Sequence, residues 1–187
     1  VGCELSEATR GAVMDALDVM RSGLRGMHEM LDSAVEGMTA EQFNFRASEG
    51  GISAFFSLWH YVRTEDNIVN FVVQHENTVW LEGGYDERFG LPRTAQGTGM
   101  TDEEALAVRI EDVAGWLEYQ QGVWAATDRY LGGLDPTSME SVQVTIRPVG
   151  EMSLWQGLWG MCLTHGYRHV GEIEFARGVQ GLGGLLI

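Results

Sequence analysis

Residues 161–173 read MCLTHGYRHVGEI and carry two histidines, His165 and His169, four positions apart. On an α-helix, positions i and i+4 lie about 40° apart around the axis and about 6 Å apart along it. The two imidazoles therefore share one helical face and can converge on a single ion. The same face carries a carboxylate, Glu172, among apolar side chains, so a stripe that is typical of a buried core holds three polar groups.

A histidine pair at this spacing is a weak signal alone, because five histidines placed at random give one in roughly one chain in eight. A metal site needs at least a third ligand, and catalytic sites often stop at three. His60, in FSLWHYVRTEDN, supplies a candidate, since it lies on an apolar face of another predicted helix. Glu65 and Asp66 point about 140° and 120° away from it and are expected to face solvent or the seam with a neighbouring helix.

The remaining histidines, His28 and His75, have polar or acidic neighbours and are predicted to lie on the surface. For the three inward-facing histidines, two interpretations stay open on pattern alone: a metal site, or buried imidazoles bonded to ordinary acceptors. Cys162, one turn before His165, is either a small buried apolar residue or a soft fourth ligand.

Capping patterns and apolar spacing predict four long amphipathic helices and a short helical turn at Thr39–Gln42. The long helices are expected from Leu5 to about Val35, from the N-cap Ser53 to about Gln74, from the Thr101–Glu104 capping box to Gly132–Gly133, and from near Ser153 to Gly178. A short β-like run, VQVTIRPVG, precedes the last one. The fold class is therefore expected to be all-α, a four-helix bundle.

The segment from Leu81 to Gly99, LEGGYDERFGLPRTAQGTG, is rich in glycine and predicts a long ordered crossover between helices two and three. We expect it to cap a pocket above the histidines. Its arginines, Arg88 and Arg93, are candidate anchors for an acidic or thiol cofactor.

Composition indicates one domain over residues 1–187, with 44% hydrophobic and 21% charged residues. No apolar run reaches the roughly 18 residues of a membrane span, and the first residues, VGCELSEATR, do not resemble a signal peptide. The two cysteines, Cys3 and Cys162, are not expected to pair, which suits a reducing compartment. We therefore expect a cytoplasmic protein.

The chain has 12 basic and 27 acidic residues, a formal net charge of −15. A surface of this sign repels phosphate backbones and anionic lipids. We therefore expect a small-molecule substrate, and neither a nucleic-acid nor a membrane partner.

Three stretches resemble the DinB-like (DinB/YfiT-like) superfamily of metal-binding four-helix bundles. They are EQFNFRASEGGISAFFSLWHYVRTEDN, YDERFGLPRTAQGTGMTDEEA and LTHGYRHVGEI, in the family's order over most of residues 39–178. The resemblance implies that His60, His165 and His169 hold one divalent cation, often nickel or zinc. It also implies that Gly171 serves close helix packing. Glu172 stands where many relatives have glutamine and is the candidate catalytic residue.

The resemblance further implies a metal-dependent enzyme, a transferase or isomerase that uses a low-molecular-weight thiol such as mycothiol or bacillithiol. A homodimer is also expected from it. The alternative is a non-catalytic metal- or small-ligand-binding bundle that acts in stress response.

Overall fold

The chain is mostly helical over residues 14–184, the part that this computed structural model describes. In chain order the helices are α1 (Ala16–Val35), α2 (Ala40–Phe43), α3 (Ala54–Asp66), α4 (Val79–Glu82), α5 (Tyr85–Phe89), α6 (Asp102–Ala107), α7 (Val113–Gly132), α8 (Ser138–Ser141), α9 (Leu154–Gly157) and α10 (His165–Val179). Two strands, β1 (Gln143–Ile146) and β2 (Gly150–Ser153), lie between α8 and α9. Two π-helical segments, Asn67–Val73 and Leu158–Thr164, make the chain helical without a break over residues 54–73 and 154–179.

The predicted helix starts are confirmed at four positions, because local capping bonds define them. Thr39, Ser53, Thr101 and Ser153 are N-caps whose side chains accept from a backbone N–H of the following helix. The first long helix begins at Ala16 after the N-cap Asp15, and its predicted portion before residue 14 lies outside the described residues, as does Cys3.

The third long helix differs from its prediction. The capping box at Thr101 starts only the short α6, and a new helix, α7, begins after the N-cap Asp112. The side-chain amide of Asn44 donates to the carbonyl of Ile110 at 2.6 Å and accepts from its N–H at 3.0 Å. Because Asn44 satisfies this backbone and Ile110 is buried, the chain between α6 and α7 is held in a non-helical conformation.

The expectation of an all-α chain needs a small correction. The run VQVTIRPVG forms an antiparallel hairpin in which Gln143 pairs with Ser153 and Ile146 with Gly150. The apolar alternation of β1 buries Val144 and Ile146 and exposes Gln143 and Thr145. The hairpin leads directly into the helical segment that carries the two clustered histidines.

The long helical segments pack against one another. The segment that ends with α10 contacts α1 and α3, and α7 contacts the same two helices. Large side chains fill the space among them, and the fully buried ones include Trp59, Trp116, Tyr61, Tyr119 and Phe55. No helix within residues 14–184 is long and apolar enough to cross a membrane.

A buried polar network lies at the centre of this packing and corrects the prediction for His28. His28 is 6% exposed, stacks on Trp124 and contacts Glu65, with 3.0 Å between its Nε2 and a carboxylate oxygen. Glu65 also accepts from Tyr61 and from Thr127. Glu65 therefore faces the seam between α1, α3 and α7 and not solvent, whereas His75 is exposed as expected.

Burial raises the pKa of the Glu65 carboxyl, but the nearby His28 and the hydrogen bonds together bring it below its usual range. The carboxylate is therefore ionised at neutral pH, and both of its oxygens have hydrogen-bond partners. Asp66 is also completely buried, and it accepts from the backbone N–H groups of Val79 and Trp80 and from the hydroxyl of Tyr119. It thereby holds the start of α4 against α3.

The close helix packing near the histidines occurs at Gly166 and not at Gly171. A Cβ on Gly166 would lie 2.6 Å from Sδ of Met27 and 2.8 Å from Cζ of Tyr61, whereas a Cβ on Gly171 would meet nothing within 4 Å. The absence of a side chain at Gly166 lets α10 approach α1 and α3, and this approach brings α10 close to His60.

Gly166→Ala should destabilise the protein, because the new methyl group overlaps two fully buried side chains, at a cost of about 1–3 kcal/mol. The matched control is Gly171→Ala, which adds the same methyl group to the same helix in open space and gains helix propensity of up to about 1 kcal/mol. Urea unfolding followed by circular dichroism measures both. Equal stabilities of the two variants would contradict the close packing at Gly166.

Candidate metal centre

Three histidines from two helices meet in one place. His60 lies on α3, and His165 and His169 lie one turn apart on α10. The ring centroid of His60 lies 5.1 Å from that of His165 and 5.2 Å from that of His169. The centroids of His165 and His169 are 4.5 Å apart. One nitrogen of each ring lies within 4.8 Å of the other two, so the set is compatible with a metal site.

Each of the three rings bonds an oxygen acceptor through its Nδ1. Nδ1 of His60 contacts the carbonyl of Gln96, Nδ1 of His165 lies 3.3 Å from the carbonyl of Met161, and Nδ1 of His169 lies 2.7 Å from Oε2 of Glu172. A carbonyl or carboxylate oxygen only accepts, so Nδ1 carries the hydrogen in all three rings. In the neutral tautomer Nε2 is then an unprotonated nitrogen with a free lone pair.

The distance between two of these nitrogens fits one shared cation. Nε2 of His165 and Nε2 of His169 are 2.9 Å apart. Two imidazole nitrogens at about 2.0–2.1 Å from one ion, with bond angles of about 90–110°, lie about 2.9–3.4 Å apart. The donor set therefore fits a divalent cation, and oxygen acceptors on the other ring nitrogens are the arrangement found around ligating histidines.

Burial keeps two of the rings neutral. Burial lowers the pKa of His60, and although the carbonyl of Gln96 opposes this, the net shift is downward. Burial, together with the neighbouring His169 and His60, lowers the pKa of His165 to about 4. At neutral pH protons therefore do not occupy Nε2 of these two residues, and the nitrogens are free to bind a cation.

The loop between α5 and α6 closes over His60. The carbonyl of Gln96 accepts from the ring, and the next residue, Gly97, has φ +107°, a conformation that side chains rarely adopt. A Cβ on Gly97 would lie 2.6 Å from Nδ1 of His60. Sequence reasoning missed both residues, since a backbone carbonyl leaves no residue-type signal. The glycine in TAQGTG was the one visible hint.

Glu172, predicted as catalytic, lies beside the three histidines and orients one of them. Its Oε2 accepts from Nδ1 of His169 and, at 2.8 Å, from the hydroxyl of Ser57. Burial raises the pKa of Glu172, but the hydrogen bonds from His169 and Ser57 outweigh it and bring the pKa to about 2. The carboxylate is therefore ionised and holds the tautomer of His169, while its catalytic role stays a prediction.

A cleft of about 480 Å³ adjoins the histidines and shares two residues with their surroundings. Glu172 and Arg168 line it, together with apolar groups from the segment before α3 and from α10. Arg168 is 64% exposed at its side chain, and its Nη2 lies 3.5 Å from Nε2 of His169. A guanidinium therefore lies at the edge of the candidate metal centre.

Other residues singled out from the sequence are engaged elsewhere. Cys162 is a fully buried free cysteine outside the histidine cluster, and burial raises the pKa of its thiol well above the usual range. Arg88 forms ion pairs with Asp112 and Glu118, and Arg93 pairs with Asp86. The crossover arginines are thus bonded to carboxylates of the chain itself.

The helical scaffold and its three convergent imidazoles define the class of protein, a helical protein with a candidate tri-histidine centre. A family model described as the DinB superfamily matches residues 24–173, and the chain belongs to this superfamily. A search of the curated proteins found no significant match.

A solved structure shares the fold. It is described as "Crystal structure of the conserved protein of locus from Enterococcus faecalis", with a TM-score of 0.76 and 20% sequence identity. The match covers 89% of this chain and 98% of the other. At this level of identity the likeness concerns the fold alone.

Gly97→Ala should weaken metal binding at least tenfold, because the added methyl group displaces the Gln96 carbonyl from His60. Gly99→Ala is the matched control: Gly99 also has positive φ, +80°, but a Cβ there meets nothing within 4 Å. Both variants carry the backbone strain, and only the first disturbs His60. Competition with a chromophoric chelator for Zn²⁺ measures the affinities, and equal values for the two variants would contradict the role of the loop.

Proposed function

We propose that this protein is a metal-dependent enzyme of the DinB superfamily in which His60, His165 and His169 hold one divalent cation. The observation that carries the proposal is the convergence of one ring nitrogen from each of the three histidines within 4.8 Å of one another, in rings whose Nδ1 atoms bond oxygen acceptors. A buried histidine that binds no metal is satisfied by one hydrogen-bond acceptor in any direction. Core packing alone gives no reason for ring nitrogens of three histidines to converge.

Three neutral imidazoles suit zinc or nickel, which we propose as the resident ion. When bound, such a cation supplies Lewis-acid chemistry and lowers the pKa of a coordinated water or thiol. Three protein ligands leave room for one further ligand, as in catalytic sites of this kind. The adjoining cleft of about 480 Å³ is within the range of small-molecule sites.

We propose a transferase or isomerase reaction with a low-molecular-weight thiol. The chain contributes a fixed tautomer at His169 through Glu172 and a positive charge at Arg168, 3.5 Å from that ring. Because the carboxylate of Glu172 stays ionised, it accepts the hydrogen bond from the His169 ring and holds that ring in place. The buried Cys162 does not compete for the ion, so an added thiol is the sulfur ligand in this proposal.

We also propose a domain organisation, a class of partner, a location and an oligomeric state for the protein. We propose a single four-helix-bundle domain, supported by the closed contacts of the long helices. A small-molecule substrate and not nucleic acid or membrane is supported by the net charge of −15. The free thiol of Cys162 supports a cytoplasmic location, and exposed aromatic residues such as Trp159 and Tyr167 support a homodimer.

Purified without a histidine tag, the protein should contain close to one Zn²⁺ or Ni²⁺ per chain by elemental mass spectrometry. His60→Ala and His169→Ala should each lose most of the metal, because two imidazoles hold the ion far more weakly than three. The control His75→Ala changes an exposed histidine and should keep the full content. Unchanged metal in both ligand variants, with the helical fold retained, would refute the site.

The metal-loaded protein should accelerate attack of a thiol on 1-chloro-2,4-dinitrobenzene relative to the metal-free protein. In this reaction a carbon–sulfur bond forms, the carbon–chlorine bond breaks, chloride leaves and the thiol proton passes to solvent. Absorbance of the thioether measures the rate for glutathione, mycothiol and bacillithiol. Equal rates with and without metal for every thiol would contradict the thiol-dependent activity and favour a binding protein.

A further inference from the structure

The cleft beside the histidines is an apolar groove with a charged end. The segment before α3 supplies Ile52, the first turn of α3 supplies Ala54, and α10 supplies Phe175 and Ala176. Ile52 and Phe175 are 45% and 66% exposed, so large apolar side chains remain open to a ligand at its walls. Apolar area of this kind favours a ligand with an apolar body, at about 25 cal/mol per Å² removed from water.

The charged end of the cleft carries one weakly engaged cation. Arg168 makes polar contacts from Nη2 to Nε2 of His169 at 3.5 Å and from Nε to Oε1 of Glu172 at 3.9 Å. Both are longer than a good hydrogen bond of about 2.7–3.2 Å. The guanidinium is a planar fork that matches a carboxylate with two parallel hydrogen bonds.

Glu172 forms only a long ion pair with Arg168, with 3.9 Å between Oε1 and Nε. Its Oε2 is occupied by His169 and Ser57, and its Oε1 lies beyond hydrogen-bond distance of Arg168. A bound divalent cation would add to the positive charge of Arg168, but the guanidinium by itself offers the two parallel N–H donors that a carboxylate accepts. The end of the cleft nearest the histidines therefore favours an anion.

We propose that the cleft binds a small monocarboxylate with an apolar body, its carboxylate on Arg168 and its body between Ile52 and Phe175. That the monocarboxylate is a substrate, bound next to the metal centre, rests on the proposed function. The binding itself depends on the cleft and Arg168, which are features of the chain alone.

Gly171 offers a way to block the cleft without touching the histidines. It lines the cleft, and a Cβ on it meets nothing within 4 Å, so the side chain of Gly171→Leu starts in open space at the wall of the cleft. Gly178→Leu is the matched control, because Gly178 lies on the same helix outside the cleft and is equally open. Arg168→Gln removes the charge and keeps a polar side chain.

The test is isothermal titration calorimetry with 4-phenylbutyrate and its uncharged analogue 4-phenylbutanamide. We expect 4-phenylbutyrate to bind the unmodified protein and Gly178→Leu equally, and to bind Gly171→Leu and Arg168→Gln at least tenfold more weakly. The amide should bind the unmodified protein at least tenfold more weakly than the carboxylate. Equal affinities of Gly171→Leu and Gly178→Leu, equal affinities of acid and amide, or no binding would overturn the proposal.

The titrations are run on zinc-loaded and on metal-free protein, with metal content measured in each variant. The order of affinities should be the same in both forms. If the protein holds no metal, the proposed function fails, but the order of affinities still decides whether the cleft binds a monocarboxylate. If the metal is present and that order is absent, the cleft assignment fails and the metal centre stands.

Discussion

The arrangement of the candidate site depends on the hydrogen bond that each histidine ring makes through Nδ1. An oxygen acceptor on Nδ1 fixes both the tautomer and the direction of the ring, so Nε2 is free of hydrogen on the opposite side. The acceptors come from different elements: Gln96 from the crossover loop, Met161 from the preceding helical turn and Glu172 from α10 itself. Removing any one of them frees a ring to turn, and the shared point is lost.

The rest of the fold holds α3 and α10 at the distance at which the three histidine rings meet. Gly166 lets the two helices approach, and the residue it packs against, Tyr61, donates to Glu65. Glu65 in turn contacts His28 on α1 and accepts from Thr127 on α7. A displacement of α10 would therefore disturb a buried carboxylate that three helices satisfy, which makes such a displacement costly. The polar network behind the histidines acts as a rigid support for them.

Local signals in the sequence predicted much of this structure. The N-caps at Thr39, Ser53 and Ser153 were readable because a cap is a bond between residues two or three positions apart. The histidine face of α10 was readable from helical periodicity. The break after α6 was not, because the group that stabilises it, Asn44, is 66 positions away from Ile110.

The same distinction explains the errors at the site. His28 has polar neighbours in sequence, but its burial follows from Glu65, which lies 37 positions away on another helix. The carbonyl of Gln96 is a backbone group, and only the path of the loop brings it to His60. Side-chain types on one helix are therefore predictable from sequence, whereas partners that come from a loop or from another helix depend on the tertiary arrangement.

The choice of neutral ligands has a consequence for what the proposed site attracts. A divalent ion held by three imidazoles would keep its charge, because the neighbouring carboxylate, Glu172, is bonded to Nδ1 of His169. Arg168 adds a second positive charge at the same end of the cleft. The protein as a whole carries −15, so the long-range field repels the anion that the local charges favour. At physiological ionic strength that field is screened beyond about 8 Å, whereas the contact with Arg168 acts at hydrogen-bond distance. In the proposed complex, selection for an anion would therefore take place inside the cleft, where the apolar walls and the guanidinium act together.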